Sequence, residues 1–311
     1  MGKSIKAFAP ATVANVACGF DVLGFAVESP GDEVVITLSD KPGIRFTKIT
    51  GDEGLLPLDP DQNTVSLVIR EYLKHLGKED LGIEIELNKQ MPLKSGLGSS
   101  AASSVVGVWA VNRLLDSPLT DLELLPFAML GEKLAAGAAH ADNVAPALLG
   151  GFVLIRSYEP LDVVQLPTPE KLYCTLIHPH IEVKTKDARG ILRQKVELKQ
   201  AVQQWGNLGG LVAGIMMSDY ALIGRSLQDV IVEPVRSILI PGFHQAKQAA
   251  MDAGALGGSI SGSGPSIFAL STDKETATKI GEAMKAVYDG INIQSEVYIS
   301  KVNPTGPRVI N

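Results

Sequence analysis

The residues Pro92-Leu93-Lys94-Ser95-Gly96-Leu97-Gly98-Ser99-Ser100-Ala101-Ala102-Ser103-Ser104 carry the clearest chemical signal in this chain. Gly96 and Gly98 permit positive φ and a close backbone approach, and the serines add hydroxyl donors. Ahead of them, Gly82-Ile83-Glu84-Ile85-Glu86-Leu87 alternates apolar and acidic residues with the period of a strand. Behind them, small and apolar residues continue to Asn112 before the charge at Arg113, as in a buried helix. Strand, glycine turn and helix together aim free amides and a positive dipole end at an anion. The segment therefore reads as a phosphate cradle. Taken alone it is also compatible with a Gly/Ser turn before a close-packed helix. It follows neither the GxxxxGK[ST] order nor the GxGxxG fingerprint.

Bulk properties limit the function classes. At 311 residues and 45% hydrophobic content, the chain has enough material for a large core in one or two domains. The net charge of −6, without a long basic stretch, argues against nucleic acid and anionic membrane as partners. Cys18 and Cys174 have no metal-ligand spacing and fit a reducing compartment. The N-terminus lacks an apolar h-region, and the most apolar windows, 105–115 and 208–223, are too short or interrupted to span a bilayer. A cytoplasmic, soluble protein is expected.

Several elements must position the cradle. Strands are expected at 5–9 and 32–38, loops through the Gly-, Pro- and Asp-rich stretch 40–62, and a helix from Thr64 to Leu76. Thr120 with Glu123 forms a capping box, Pro126 predicts a kink or restart, and Gly137 a stop. A short helix after Asp142-Asn143 ends at Gly150-Gly151, before a strand over 152–155. The stretch 158–171, with Pro160, Pro167 and Pro169, is the expected domain seam. Beyond it, strands at 172–177, 258–261, 266–270 and 294–302 surround helices near 198–220, 243–253 and 274–289. This β-α-β-β-α-β order belongs to an α+β fold with an antiparallel sheet.

Two further segments accompany the cradle: Pro10-Ala11-Thr12-Val13-Ala14-Asn15-Val16-Ala17-Cys18-Gly19-Phe20-Asp21 before it and Ser259-Ile260-Ser261-Gly262-Ser263-Gly264-Pro265-Ser266 after it. The three together resemble the ordered motifs of the galactokinase–homoserine–mevalonate–phosphomevalonate (GHMP) kinase superfamily, in which the second is the ATP-phosphate loop. Within it, Asn15 to Gly24, His140-Ala141-Asp142-Asn143-Val144-Ala145-Pro146, Val183-Lys184-Thr185-Lys186-Asp187-Ala188-Arg189 and Glu233-Pro234-Val235-Arg236 resemble the homoserine kinase family. The similarity covers nearly the whole chain. Cys18 stands where the family usually has Pro, and Lys94 where it commonly has Ser.

The resemblance implies a two-domain α+β architecture: an ATP-binding domain over 1–165 with the ribosomal-protein-S5-like fold and a ferredoxin-like domain over 166–311. It implies ATP and Mg²⁺, L-homoserine as substrate, phosphorylation toward threonine, and a homodimer. By similarity, Pro92 to Ala102 with Thr185 hold the nucleotide, and Ser100 and Glu132 the metal. Asn63 is a weaker candidate for adenine, and equally a helix start. Homoserine's carboxylate calls for guanidinium and its ammonium for an acidic or amide acceptor. Arg189 and Arg236 match the first need, Asn15 and Asp21 the second, with Gly262 beside them. His140, Asp142 and Asn143 are the catalytic candidates, His140 also touching substrate; Asp142 or Asp21 is the candidate proton acceptor, although positioning and electrostatics are enough for a dissociative transition state. His178 and His180 alternate at a strand end without a third ligand and are read as isolated surface histidines.

Overall fold

The computed structural model describes residues 2–136 and 140–311, so the stop expected at Gly137 lies outside the described residues. The first part of the chain runs β1 (Ser4–Ala14), β2 (Leu23–Ser39), β3 (Gly43–Thr50), α1 (Thr64–His75), β4 (Gly82–Asn88), α2 (Ser99–Leu114), α3 (Asp121–Ala136), α4 (Ala141–Leu149), β5 (Phe152–Tyr158) and β6 (Leu161–Leu166). The rest runs β7 (Tyr173–Pro179), α5 (Thr185–Gly190), α6 (Leu198–Met217), α7 (Tyr220–Ser226), α8 (Glu233–Arg236), α9 (Phe243–Asp252), β8 (Gly257–Ile260), β9 (Ile267–Ser271), α10 (Lys274–Gly290), β10 (Ser295–Lys301) and β11 (Arg308–Val309).

A larger sheet is ordered β11-β1-β2-β4-β3, with the β5-β6 hairpin attached to the N-terminal end of β2. A smaller antiparallel sheet is ordered β10-β7-β9-β8, the arrangement expected of the β-α-β-β-α-β half. Phe25 on β2 lies 4.8 Å from Phe152 and 6.0 Å from Phe268 on β9, so one aromatic group joins the two sheets. The last strand, β11, returns to pair with β1 in the larger sheet.

Helix α2 is at the centre. Its residues from Ala101 to Asn112 are buried on every face, which explains why the sequence shows no amphipathic stripe there. Three local expectations differ from the structure. Strand β3 lies within 40–62, where loops were expected, because its parallel pairing with β4 is non-local and its flanks are rich in Gly and Asp. Helix α3 continues through Pro126 without restarting; Pro126 faces solvent, where water can serve the carbonyl that the missing N–H leaves free. The expected seam contains β6, which forms a hairpin with β5, while Pro167 and Pro169 fall after its end.

Candidate active site

A cleft of about 540 Å³ runs between the start of α2 and the segments leading into α4, α5 and α8. Gly98 caps α2 with φ 69° and ψ 28°, and its carbonyl accepts from the Ala102 amide at 2.8 Å. The amides of Gly98, Ser99, Ser100 and Ala101 thus have no intrahelical partner and form an anion-binding end. Leu93, Lys94, Ser95, Gly96, Gly98, Ser99 and Ser100 line the cleft. Pro92 does not, the side chains of Leu97, Ala101 and Ala102 are in the core, and the Ala102 N–H is engaged inside the helix.

The glycine turn after β8 supports this loop. Ser261 Oγ donates to the Gly96 carbonyl at 2.7 Å, and the Ser266 amide donates to the Ser95 carbonyl at 3.2 Å. A Cβ on Gly98 would stand 2.0 Å from Thr12 Oγ1, which itself donates to Asn143 Oδ1 at 2.7 Å. The cradle, β1 and the start of α4 are thereby locked together. Ser95 Oγ lines the cleft, buried and without a hydrogen-bond partner.

At the other end, Asp21 accepts two hydrogen bonds from Arg189, at 2.7 and 3.1 Å. Arg236 is buried; its Nε donates to the Ala188 carbonyl at 3.0 Å and its Nη1 to the Gly262 carbonyl at 3.1 Å. Burial and the neighbouring Arg189 bring its pKa down to about 10. Both guanidiniums stack on Phe20, at 5.5 Å for Arg189 and 4.9 Å for Arg236. Asn15, with φ 71°, donates to the Gly262 carbonyl at 2.8 Å and accepts from the Asp21 amide at 3.0 Å. Its amide therefore organises the loop that presents Asp21. Thr185, at the start of α5, lines the cleft with Oγ1 3.3 Å from Ser263 Oγ.

Between the two ends stands the first turn of α4. His140 Nδ1 lies 3.3 Å from Arg189 Nη2, and its Nε2 is buried and unpartnered. Burial and the positive charge of Arg189 hold its imidazole below its usual pKa, hence neutral. Asp142 is buried in the cleft wall; burial, then the charges of Asp21 and Glu132, push it up to about 7. Tyr158 closes this side, its hydroxyl donating to the Asp21 carbonyl at 2.9 Å and accepting from the Ala141 amide at 3.2 Å.

Glu132 on α3 is buried beside the cradle and accepts from the Ser100 hydroxyl. Burial raises its pKa, and among the described residues no cationic side chain pairs with it. A buried carboxylate and a hydroxyl, both hard oxygen donors beside the open amides of α2, suit Mg²⁺. Asp21, His140 and Asp142 also bring one ligand atom each within 4.8 Å of one another. There Arg189 already neutralises Asp21 and Arg236 adds a second positive charge, so a cation is disfavoured.

Asn63 lines the cleft, but its side chain caps α1, accepting from the Val65 amide at 3.1 Å and donating to the Pro57 carbonyl at 3.1 Å. The reading of His178 as a surface residue is corrected: it is buried, with Nδ1 3.2 Å from Ser266 Oγ, and burial brings its pKa down to about 4. Strand packing of β7 against β9 places it there. Sequence reasoning missed Phe20, Tyr158 and a buried pair beneath the cradle. In that pair Lys89 is bonded to Asp32, and donates to the Ser99 carbonyl at 3.0 Å and Ser103 Oγ at 2.6 Å. A lysine just past a strand carries no local signal, because its partner is 57 residues away.

Comparison with known proteins identifies the family. Residues 63–151 match the GHMP kinases N terminal domain and residues 198–290 the GHMP kinases C terminal domain. A homoserine kinase from Chlorobium phaeobacteroides (strain BS1) is 52% identical over 99% of this chain and all of its own length. One from Xanthomonas campestris is 39% identical over 99% of this chain and 94% of its own length. The crystal structure of homoserine kinase from Cytophaga hutchinsonii shares 67% identity and superposes with a TM-score of 0.97, covering 100% of this chain and 98% of that one. The L. major mevalonate kinase structure, 17% identical with a TM-score of 0.74, shares the fold. Two domain matches and full-length relatives well above 30% identity place this chain among the GHMP kinases and, within them, in the homoserine kinase family.

Proposed function

We propose that this protein transfers the γ-phosphoryl group of ATP to the hydroxyl of L-homoserine, giving O-phospho-L-homoserine and ADP, a step toward threonine. Members of its family are ATP-dependent phosphotransferases. The observation that carries the reading is one cleft with two chemically different ends. Free helix amides stand at one end, the Asp21–Arg189–Arg236 group at the other, and the α4 turn between them.

In this reading the amides of Gly98 to Ala101 hold the triphosphate, with the Ser95 hydroxyl as a further donor. Arg236 Nη2, the arm of the fork that Ala188 and Gly262 leave uncommitted, meets the carboxylate of homoserine. Asp21, held by Arg189, faces the ammonium. Thr12 fixes Asn143 beside the cradle, and neutral His140 and Asn143 orient the hydroxyl toward the phosphoryl group. The hydroxyl proton passes to Asp142, whose pKa near 7 suits a proton acceptor at neutral pH. Ser100 and Glu132 would hold Mg²⁺, which supplies charge neutralisation of the phosphates when bound. Burial in the cleft and fixed donors account for most of the rate, since phosphoryl transfer requires mainly alignment and charge stabilisation.

We also propose a homodimer in the cytoplasm. Exposed Leu198, Val202 and Trp205 follow helical spacing on α6 and offer an apolar face, and both cysteines are unpaired and buried. No helix among the described residues is long and apolar enough to cross a membrane.

ADP release measured with Mg²⁺-ATP and L-homoserine, L-serine, L-threonine or mevalonate tests the reaction. Homoserine-dependent release well above the others is expected. Equal release with mevalonate would overturn the amino-acid assignment, because mevalonate lacks the ammonium for which Asp21 is positioned.

A further inference from the structure

At the mouth of the cleft, Lys94 Nζ lies 2.8 Å from Glu182 Oε1. Lys94 belongs to the cradle loop, where the family commonly carries Ser, and adopts φ 57°. Glu182 lies between β7 and α5, in the segment that delivers Thr185 and Arg189 to the same cleft. The contact therefore fastens the phosphate loop to the element that brings in Arg189, the partner of Asp21. Nearby, Thr185 and Ser263 make a second contact across the mouth.

The pair has the properties of a replaceable contact. Its side chains are 67% and 52% exposed, and exposed ion pairs contribute little net stability. The lysine stem is flexible, and its ammonium carries three rotatable donors. A triphosphate seated on the adjacent amides has several oxygens and more charge than one carboxylate. Lys94 chiefly, and Lys184 more weakly, hold the Glu182 carboxyl down, so Glu182 keeps a cationic neighbour when Lys94 leaves.

We propose that Lys94 and Glu182 form an exchangeable latch across the cleft, in which the nucleotide's phosphates displace Glu182 from Lys94 and release the segment leading to α5. This rests on the reading of residues 95–101 as the phosphate cradle. Glu182 is then an internal competitor for the cradle lysine. ATP binding frees the segment that carries Thr185 and Arg189 to settle around homoserine.

Calorimetric titration of ATP and of adenosine into the unmodified protein, Glu182→Gln, Lys94→Ser and the double variant tests this. Glu182→Gln is expected to tighten ATP binding by about two- to fivefold, the range of a lost surface ion-pair competitor. Lys94→Ser is expected to weaken it by roughly tenfold, as for loss of a charged hydrogen bond. Adding Glu182→Gln to Lys94→Ser should then change nothing, and adenosine should bind all four proteins alike. Both side chains are exposed, so unchanged melting temperatures check that the variants fold. The latch is overturned if Glu182→Gln leaves ATP affinity unchanged or weakens it, or if its effect persists without Lys94. If Gly98→Ala loses ATP affinity while the Lys94/Glu182 cycle shows nothing, the latch is overturned and the cradle stands. Absence of ATP binding by the unmodified protein overturns both.

Discussion

Replacing Asp142 by Asn tests whether the enclosed carboxyl governs both stability and proton transfer. In the folded protein its pKa rises from 3.8 to about 7, with burial as the main cause and the charges of Asp21 and Glu132 adding to it. A carboxyl with a raised folded-state pKa binds its proton more tightly when folded. The resulting stabilisation is fully present below the unfolded value and is lost as pH rises through 7. Between pH 5 and pH 8 this one group should withdraw about 2–3 kcal/mol of folding stability, at 1.36 kcal/mol per pH unit until the folded carboxyl ionises. Denaturant midpoints at pH 5 and pH 8 measure it. The unmodified protein should lose that much more stability across the interval than Asp142→Asn, which has nothing to ionise there. At pH 8 the variant should therefore have gained that much stability relative to the unmodified protein since pH 5, and yet show a greatly reduced kcat, without the rise in kcat through pH 7 that a proton acceptor confers. Parallel pH slopes for the two proteins would refute the assignment of a proton to Asp142 near neutrality. An undiminished kcat would remove it from proton transfer.

Three other substitutions probe the remaining parts of the site. Arg236→Leu should raise the homoserine KM by a factor on the order of 30 or more, as for truncating one partner of a buried charge pair, and leave the ATP KM nearly constant; equal loss for both ligands would place Arg236 elsewhere. Glu132→Gln should raise the Mg²⁺ concentration for half-maximal activity roughly tenfold or more, and an unchanged titration would dismiss it as a metal ligand. Gly98→Ala places a methyl 2.0 Å from Thr12 Oγ1 at a φ of 69°. Backbone strain and overpacking together predict a loss of about 2–5 kcal/mol, visible in the melting temperature, and Thr12→Ala in the same chain should recover part of it. Full stability of Gly98→Ala alone would mean that the loop is not locked against β1.

The strand, glycine turn and helix of the cradle loop follow from local sequence. Strand alternation before Gly96, φ-permissive glycines and a charge-free run of small and apolar residues after Ser99 are local properties, and local dihedral preferences with burial are enough to build strand, turn and helix. The capping box at Thr120 and Glu123 is equally local, and it forms, with the Thr120 amide 2.8 Å from Glu123 Oε2. Likeness to known motifs singled out Asp21, His140, Arg189 and Arg236, which patterning would have left as turn and surface residues.

How these groups act on one another follows from packing alone. Asp21 and Arg189 are 168 residues apart in sequence, and Lys89 is 57 from Asp32; no periodicity relates such pairs. Asn15 and Asn63 prove to have their amides engaged in holding loops, a role set by which backbone groups approach them. The pKa values of Asp142, His140 and Arg236 depend on exclusion of water and on charges contributed by separate elements. A residue type fixes what chemistry is possible, but its free energy of ionisation and its available hydrogen bonds belong to its surroundings, and those exist only once the sheets and helices have packed.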